Sequence, residues 1–321
     1  MTTMITGAAG MMGSHLAERL TERGDDLIVT FFQPTIDMRG LEHLPMTELD
    51  VRDFDAVRAI IEERRPDVIH HLAAQSLPTV SWVDPWTTLD TNTRGTINIF
   101  ESVRSARASH PDYDPTIVVA CSSAAYGASM TPDRVPIDEE APLLPMHPYG
   151  VSKVAQDLLT FQYHLNHGIR GIRARIFNCT GPRKRNDVVS DFGRGVVKAY
   201  RSGEPFKVGN LDTRRGIIDV RDMIEALIVL SENGQPGEAY NICAENAVQI
   251  RDLLPLYFTA LGSEVPWEVS PDLIRPSDEA IIFGSTSKLR AHTGWEPRIP
   301  LQKTIADVLA YEMRLAEDGP A

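Results

Sequence analysis

Through the first half of the chain, short apolar runs alternate with segments whose apolar positions recur every three or four residues. Thr2 to Thr6 reads as a short buried strand that runs into a glycine-rich turn. Met12, Leu16 and Leu20 follow at helical spacing, and Gly24 stops that helix. Leu27 to Phe32 reads as a second strand. Val57, Ile60 and Ile61 mark a helix that Pro66 ends, and Asp67 to Leu72 is a strand closing in Ala73-Ala74. Ile97, Phe100 and Val103 sit on a further helix, while Thr116 to Ala120 and Ile172 to Phe177 are strands. This alternation predicts an α/β fold, with a doubly wound parallel sheet covered by helices on both faces.

Beyond Gly181 the rhythm breaks as Pro and Gly become frequent. Met130 to Pro148, rich in Pro, Asp and Glu, reads as a surface loop. Ile217 to Leu230 and Ala239 to Cys243 read as a strand-helix-strand unit that returns to the main sheet. Leu301, Ile305, Val308 and Leu309 mark a C-terminal amphipathic helix. The pattern divides the chain into a sheet domain over residues 1–178, rejoined by 217–245, and a smaller lobe mainly within 179–321.

Composition narrows the function class. The 321 residues suffice for one large domain or two ordinary ones. A formal charge of -12 argues against a general nucleic-acid binder, which needs a basic surface, yet leaves room for a local Arg pair on a small anion. No run is long and apolar enough for a membrane span, and no basic-then-apolar leader opens the chain. Cys121, Cys179 and Cys243 are widely spaced in apolar surroundings with no CxxC pair. They read as buried free thiols rather than disulfides or metal ligands, which suits a reducing cytoplasm.

Gly7, Gly10 and Gly13 lie between the first strand and the first helix, the context of a Rossmann-like dinucleotide site. There Gly7 permits the tight turn, Gly10 lets the backbone approach a pyrophosphate, and Gly13 lets helix and strand pack closely. An acid ending the second strand would favour NAD, but Thr30-Phe31-Phe32-Gln33 carries neither acid nor base. Arg39 is the nearest partner for a 2′-phosphate, so NAD and NADP both stay open. Tyr149 and Lys153 fall four apart, on one face of a helix. A neighbouring ammonium favours a phenolate, so Lys153 is expected to lower the Tyr149 pKa from its ordinary value near ~10. Ser122, directly after a strand, is placed to hydrogen-bond a substrate oxygen; capping the strand end is its other reading.

Taken together, TGAAGMMG at the start, HLAAQS at 71–76, TNTRGT around Asn92, SSAAYG at 122–127, PYGVSK at 148–153 and RIFNCTGPR at 175–183 resemble the extended short-chain dehydrogenases/reductases that modify nucleotide sugars. GNLDTRRGIIDVRD at 209–222, RPSD at 275–278 and GSTSKLRAHTGWEPRIPL at 284–301 are most similar to the GDP-mannose 4,6-dehydratase and GDP-4-keto-6-deoxy-mannose reductase branch. The resemblance implies Ser122, Tyr149 and Lys153 as catalytic residues. It implies a cofactor site of NAD or NADP on Gly7, Gly10, Met11, Met12 and Gly13, with Asp50 and Val51 at the adenine and Leu72, Ala73 and Ala74 along the channel. Asn92 would help hold the inner ribose, with Tyr149, Lys153 and Phe177 near it. For the substrate it implies Ser76, Ser123, Ala124 and Asn178, with Arg215 and Arg275 clamping the diphosphate. It also implies a homodimer built on the helices around 95–107 and 149–164.

Departures from the family pattern rank the reactions. The dehydratases typically carry a glutamate where this chain has Ala124, and a methyl group cannot shuttle the C5 proton. Glu139 and Glu140, in the following loop, are the nearest replacements. Gly216 stands where relatives usually have Asp, and the loop after Phe32 lacks the Arg pair through which many dehydratases reach a neighbouring cofactor. The leading expectation is therefore NAD(P)H-linked reduction of a 4-keto-6-deoxy sugar carried on a nucleotide, GDP foremost. A C4 epimerase comes second, a GDP-mannose 4,6-dehydratase third, and a non-catalytic nucleotide-binding protein last.

Overall fold

The computed structural model describes residues 1–274 and 279–318. Its centre is a seven-stranded sheet. In chain order the strands are β1 (Thr2–Thr6), β2 (Asp26–Phe31), β3 (Met46–Glu48), β4 (Val68–His71), β5 (Thr116–Ser122), β6 (Arg170–Ile176) and the strand Ala239–Ile242. Across the sheet they run Ala239–Ile242, β6, β5, β4, β1, β2, β3, and every neighbouring pair is parallel. From β1 the chain first moves outward to β2 and β3, then crosses back to β4 and continues the other way. The reversal between β1 and β4 leaves a crevice at the carboxyl ends of the strands, the usual ligand position in such sheets.

A parallel sheet covered on both faces needs strands buried on both sides. Val68, Ile69, His70 and His71 of β4 are all buried. Burial holds both imidazoles neutral, with pKa values pulled down to about 3. His71 then bonds Thr6 on β1 at 3.0 Å and Thr96 at 3.2 Å. On one face α1 (Met11–Arg23) packs Leu16 and Leu20 against Val29 and Val118 of the sheet. On the other, α2 (Phe54–Arg64) and α5 (Gly95–Ser109) pack Val57, Ile61, Phe100 and Val103. Between these last two helices lie α3 (Pro78–Val83) and α4 (Pro85–Leu89), which the apolar pattern does not announce. The helix α6 (Pro148–His167) follows β5.

Two expectations need correcting. The unit after Gly216 rejoins the main sheet through Ala239–Ile242 alone; Ile217–Asp219 pairs instead with β7 (Asn178–Thr180), outside it. The stretch Met130 to Pro148 is not simply a surface loop. Met130 and Ile137 are buried against Tyr126, Phe177 and Cys243, and the Glu139 carboxylate accepts the Asn241 N–H at 2.7 Å. Its polar composition hides apolar anchors spaced too irregularly to show a period.

A separate core lies beyond the sheet. Val189, Phe192 and Val196 of α7 (Val188–Ser202), Leu253 and Tyr257, and Ile305, Val308 and Leu309 of the helix Leu301–Asp318 fill it. That last helix is fastened back to α8 (Val220–Asn233). The Asp222 carboxylate accepts the N–H groups of Arg298 and Ile299, and Thr304 donates to Asp219 at 2.7 Å.

Candidate active site

The turn after β1 is closed by contacts that only glycine allows. Gly7 has φ 76°, and a Cβ there would lie 2.8 Å from the Ala73 backbone; one on Gly13 would lie 2.3 Å from the Gly7 carbonyl. Gly10 begins α1 with no side chain capping the first-turn amides and no acid in that turn. Free amides at the positive end of a helix, under a backbone cradle with no side chains, fit a pyrophosphate. The crevice above them has a volume of about 420 Å³. Gly7, Gly10, Met11, Met12 and Gly13 form its floor, Leu72, Ala73, Ala74 and Ser76 one side, and Asp50 and Val51 the far end. Ser122, Tyr149, Lys153 and Phe177 close the near end.

Tyr149 is placed by the way α6 starts. The ring nitrogen Nδ1 of His147 accepts the Gly150 N–H at 3.0 Å, and Pro148 opens the helix with a preset φ. A Cβ on Gly150 would sit 2.7 Å from the Ala124 carbonyl, so this glycine lets the helix touch the turn after β5. Contact at that point brings the Tyr149 phenol up to Ser122, whose hydroxyl is close enough to pull the phenol's pKa down. Ser122 also accepts the Ala124 N–H at 3.1 Å, so its hydroxyl both caps the strand end and faces the phenol. Lys153 is 3% exposed. Its ammonium donates to the Ala120 carbonyl at 2.7 Å and lies 5.7 Å from the centre of the Tyr149 ring.

The electrostatics differ from the expected pattern. Burial pushes the Tyr149 phenol up to about 12, with the Ser122 hydrogen bond pulling weakly the other way. Burial also draws the Lys153 ammonium down to about 8. Spacing correctly puts the two residues on one face, but desolvation, and not the ammonium four residues on, sets the phenol. The phenol therefore holds its proton at neutral pH.

Several expected residues stand elsewhere. Asn92 is fully buried and off the crevice wall. Its amide accepts the Gln75 N–H and donates to the Gln75 carbonyl and to Ser152, so it braces the site from behind the wall. Ser123 and Ala124 form the turn behind Ser122. Asn178 lies on β7 with its buried carbonyl oxygen unpaired. Arg215 is outside the crevice and donates to the Glu279 carbonyl, and Arg275 falls outside the described residues. Arg39 is paired with Asp37 rather than turned toward the crevice. Glu139, spent on Asn241, and Glu140 are both off the wall. Gly216 has no room for an Asp: a Cβ would meet Cys243 Sγ at 2.6 Å and Phe283 at 2.8 Å.

The chain reading missed two features. Arg183, Lys184 and Arg185, readable as solvated charges, line the crevice, with Arg183 paired to Glu18 of α1. Their signal was a basic run directly after a strand and Gly-Pro. Behind α6, the fully buried carboxylate of Asp157 accepts Arg173 at 2.9 Å and Arg175 at 2.7 Å. Arg175 goes on to Tyr126, which donates to Asn241 at 2.7 Å. Asp157 lies one turn beyond Lys153 on the same helix face, which is where a sequence search could have looked.

Comparison with known proteins places this geometry. The family model described as GDP-mannose 4,6 dehydratase matches residues 4–308. GDP-6-deoxy-D-mannose reductase of Pseudomonas aeruginosa is 29% identical over 324 residues, spanning 98% of this chain and 98% of that protein. The solved structure of RMD from Pseudomonas aeruginosa complexed with NADPH superposes with a TM-score of 0.82 at 26% identity, covering 98% of this chain and 99% of that one. Thermus thermophilus UDP-glucose 4-epimerase in complex with NAD gives 0.86 at 27% identity, covering 98% and 100%.

Proposed function

The chain belongs to the GDP-mannose 4,6-dehydratase family, and from that premise we propose that it is a nicotinamide-dependent enzyme reducing the C4 ketone of a nucleotide-linked 4-keto-6-deoxy sugar. One observation favours reduction over dehydration. Among the described residues, the only carboxylate on the crevice wall is Asp50, and Arg52 holds it in a salt bridge at 2.6 Å. Asp50 follows β3, four strand spacings from Ser122 at the end of β5, or roughly 19 Å at ~4.8 Å each. Among the described residues, no acid lines the crevice beside Tyr149 to remove a C5 proton.

A bound reduced dinucleotide would supply the hydride to C4. Ser122 hydrogen-bonds the carbonyl oxygen and polarises it. Tyr149, still protonated at neutral pH, passes its proton to that oxygen as the bond order falls, so the ketone becomes an alcohol. Lys153 holds a positive charge beside the phenolate left behind. The uncapped amides of α1 and the glycine cradle fit the pyrophosphate, and Lys184 and Arg185 add positive potential along the same wall. GDP as the carrier is supported by the 29% identical reductase.

We assign the residues before 179, together with Ala239–Ile242, to dinucleotide binding, and the separate core beyond to the sugar nucleotide. A homodimer is supported by an apolar face on α3, α4 and α6. Trp82 is 63% exposed, Trp86 82% and Leu165 68%, with Val83 and Leu158 exposed beside them. This moves the expected interface from α5 toward residues 80–86. Among the described residues no helix is long and apolar enough to cross a membrane. The three cysteines are free and buried, in keeping with a reducing cytoplasm.

The test is NADPH or NADH consumption with GDP-4-keto-6-deoxy-mannose, followed at the nicotinamide absorbance. One reduced cofactor should be used per C4 alcohol formed. Absence of consumption refutes the reductase. A 4-keto product from GDP-mannose alone would make the protein a dehydratase. Interconversion of UDP-glucose and UDP-galactose without added reductant would make it an epimerase.

A further inference from the structure

The start of α6 is capped by an unusual group. Caps at such positions are mostly hydroxyls, carboxylates or amides, none of which gains a positive charge on acidification. Here the cap is an imidazole. His147 has extended backbone geometry (φ -152°, ψ 161°), its carbonyl accepts the Val151 N–H at 3.1 Å, and its ring Nδ1 accepts the Gly150 N–H at 3.0 Å. Accepting at Nδ1 requires the neutral ring with its proton on Nε2. The same ring lies nearly parallel to that of Tyr149, 19° between planes and 5.9 Å between centres. One imidazole thus holds the first turn of the helix and flanks the ring that faces Ser122.

Protonation would undo both contacts together. An imidazolium has no acceptor left for the Gly150 N–H, and it places a positive charge at the positive end of the helix. The titratable group against it is Tyr149. No charged side chain from the turn after β5 or from the loop 127–146 shifts it; burial lowers its pKa and its own backbone acts in the other direction. At neutral pH the ring is therefore neutral and the cap intact, and the cap is lost as pH falls below the ordinary imidazole range.

We propose that His147 is a positioning residue that holds the Tyr149 phenol in register with Ser122 and releases it on acidification, giving the enzyme an acid limit set by a helix cap. The inference rests on the reductase reading only for its kinetic consequence. The structural consequence is independent of any substrate.

Two measurements test it. The first is NMR of protein carrying 13C-labelled histidine and tyrosine rings, titrated from pH 8 to pH 5. The Tyr149 ring signal should move with the apparent pKa of His147, and in His147→Asn, which keeps a cap but cannot titrate in this range, it should stay still. A Tyr149 signal that ignores His147 in the wild type, or moves unchanged in the Asn variant, overturns the inference whatever the protein catalyses. The second is the pH profile of kcat. The wild type should lose about fivefold at the acid end, the usual worth of a helix cap. His147→Asn should remain flat there, and His147→Ala should be lowered at every pH. An acid limb retained in His147→Asn overturns the inference. If no turnover is seen in any variant while the NMR coupling holds, the reductase reading falls and the positioning role stands.

Discussion

Replacing Gly150 by alanine tests how closely the catalytic helix must approach the turn that carries Ser122. The added Cβ would lie 2.7 Å from the Ala124 carbonyl oxygen and 2.9 Å from Pro145 Cβ. Carbon and carbonyl oxygen sit comfortably no closer than about 3.3 Å, so the first turn of α6 must retreat by roughly 0.6 Å. Overpacking of this kind costs about 1–3 kcal/mol, and the better helix propensity of alanine returns up to about 1 kcal/mol. The net loss of stability is about 0–3 kcal/mol, a few degrees in Tm for a protein of this size. Turnover should suffer far more. Misplacing a reacting group by 1 Å costs on the order of 100-fold, so the Ser122–Tyr149 contact, loosened by about half that distance, should lower kcat by about 10-fold or more. Dinucleotide binding, seated on Gly7 to Gly13, should stay within about twofold. The assay pairs steady-state reduction kinetics with calorimetric titration of the dinucleotide and a thermal melt. Wild-type kcat in Gly150→Ala, or a loss of dinucleotide binding equal to the loss of kcat, would refute the reasoning.

Three further outcomes are expected. The rate of reduction should fall as pH rises through about 8, because the Lys153 ammonium, held at about 8 by burial, is charged below that value and neutral above it. Tyr149, at about 12, stays protonated across the same range and contributes no limb there; the kcat profile measured from pH 7 to pH 10 checks both statements. Asp157→Asn should cost about 3–5 kcal/mol in urea unfolding, since it leaves the buried Arg175 guanidinium without its counter-charge while preserving shape. Gly216→Asp, which installs the acid that the family resemblance leads one to expect, should destabilise by at least about 2 kcal/mol in the same assay, because Cys243 and Phe283 already fill the space its side chain needs.

Most of the sheet and the grouping of the candidate site residues could be read from the chain because both are written locally. Gly7, Gly10 and Gly13 sit next to each other in sequence and in space, and helical geometry alone carries Tyr149 to Lys153. The strand read over Asp67 to Leu72 is there as β4, Val68–His71. What depended on distant partners was not legible. Spacing puts Lys153 beside Tyr149, but only the fold shows that the Ala120 carbonyl receives the ammonium and that burial governs both groups. Nor does the chain show that the Asn92 amide is tied to Gln75 and Ser152. The outer lobe escaped because its strands, such as Phe206–Val208 and Trp267–Val269, are too short to display alternation. The helix α7 did carry a readable signal in Val189, Phe192 and Val196.

The way the outer lobe is closed has a consequence for the order of events during synthesis. Residues 188–202 leave the ribosome long before residues 301–318, yet the core they share is complete only when Ile305, Val308 and Leu309 arrive. Until then a greasy seam on the nascent polypeptide must wait, and the half built on the parallel sheet can settle first. Because Asp222 receives the late-emerging amides of Arg298 and Ile299, the final helix acts as a zip fastener, sealing in one late step a compartment whose walls were translated at different times.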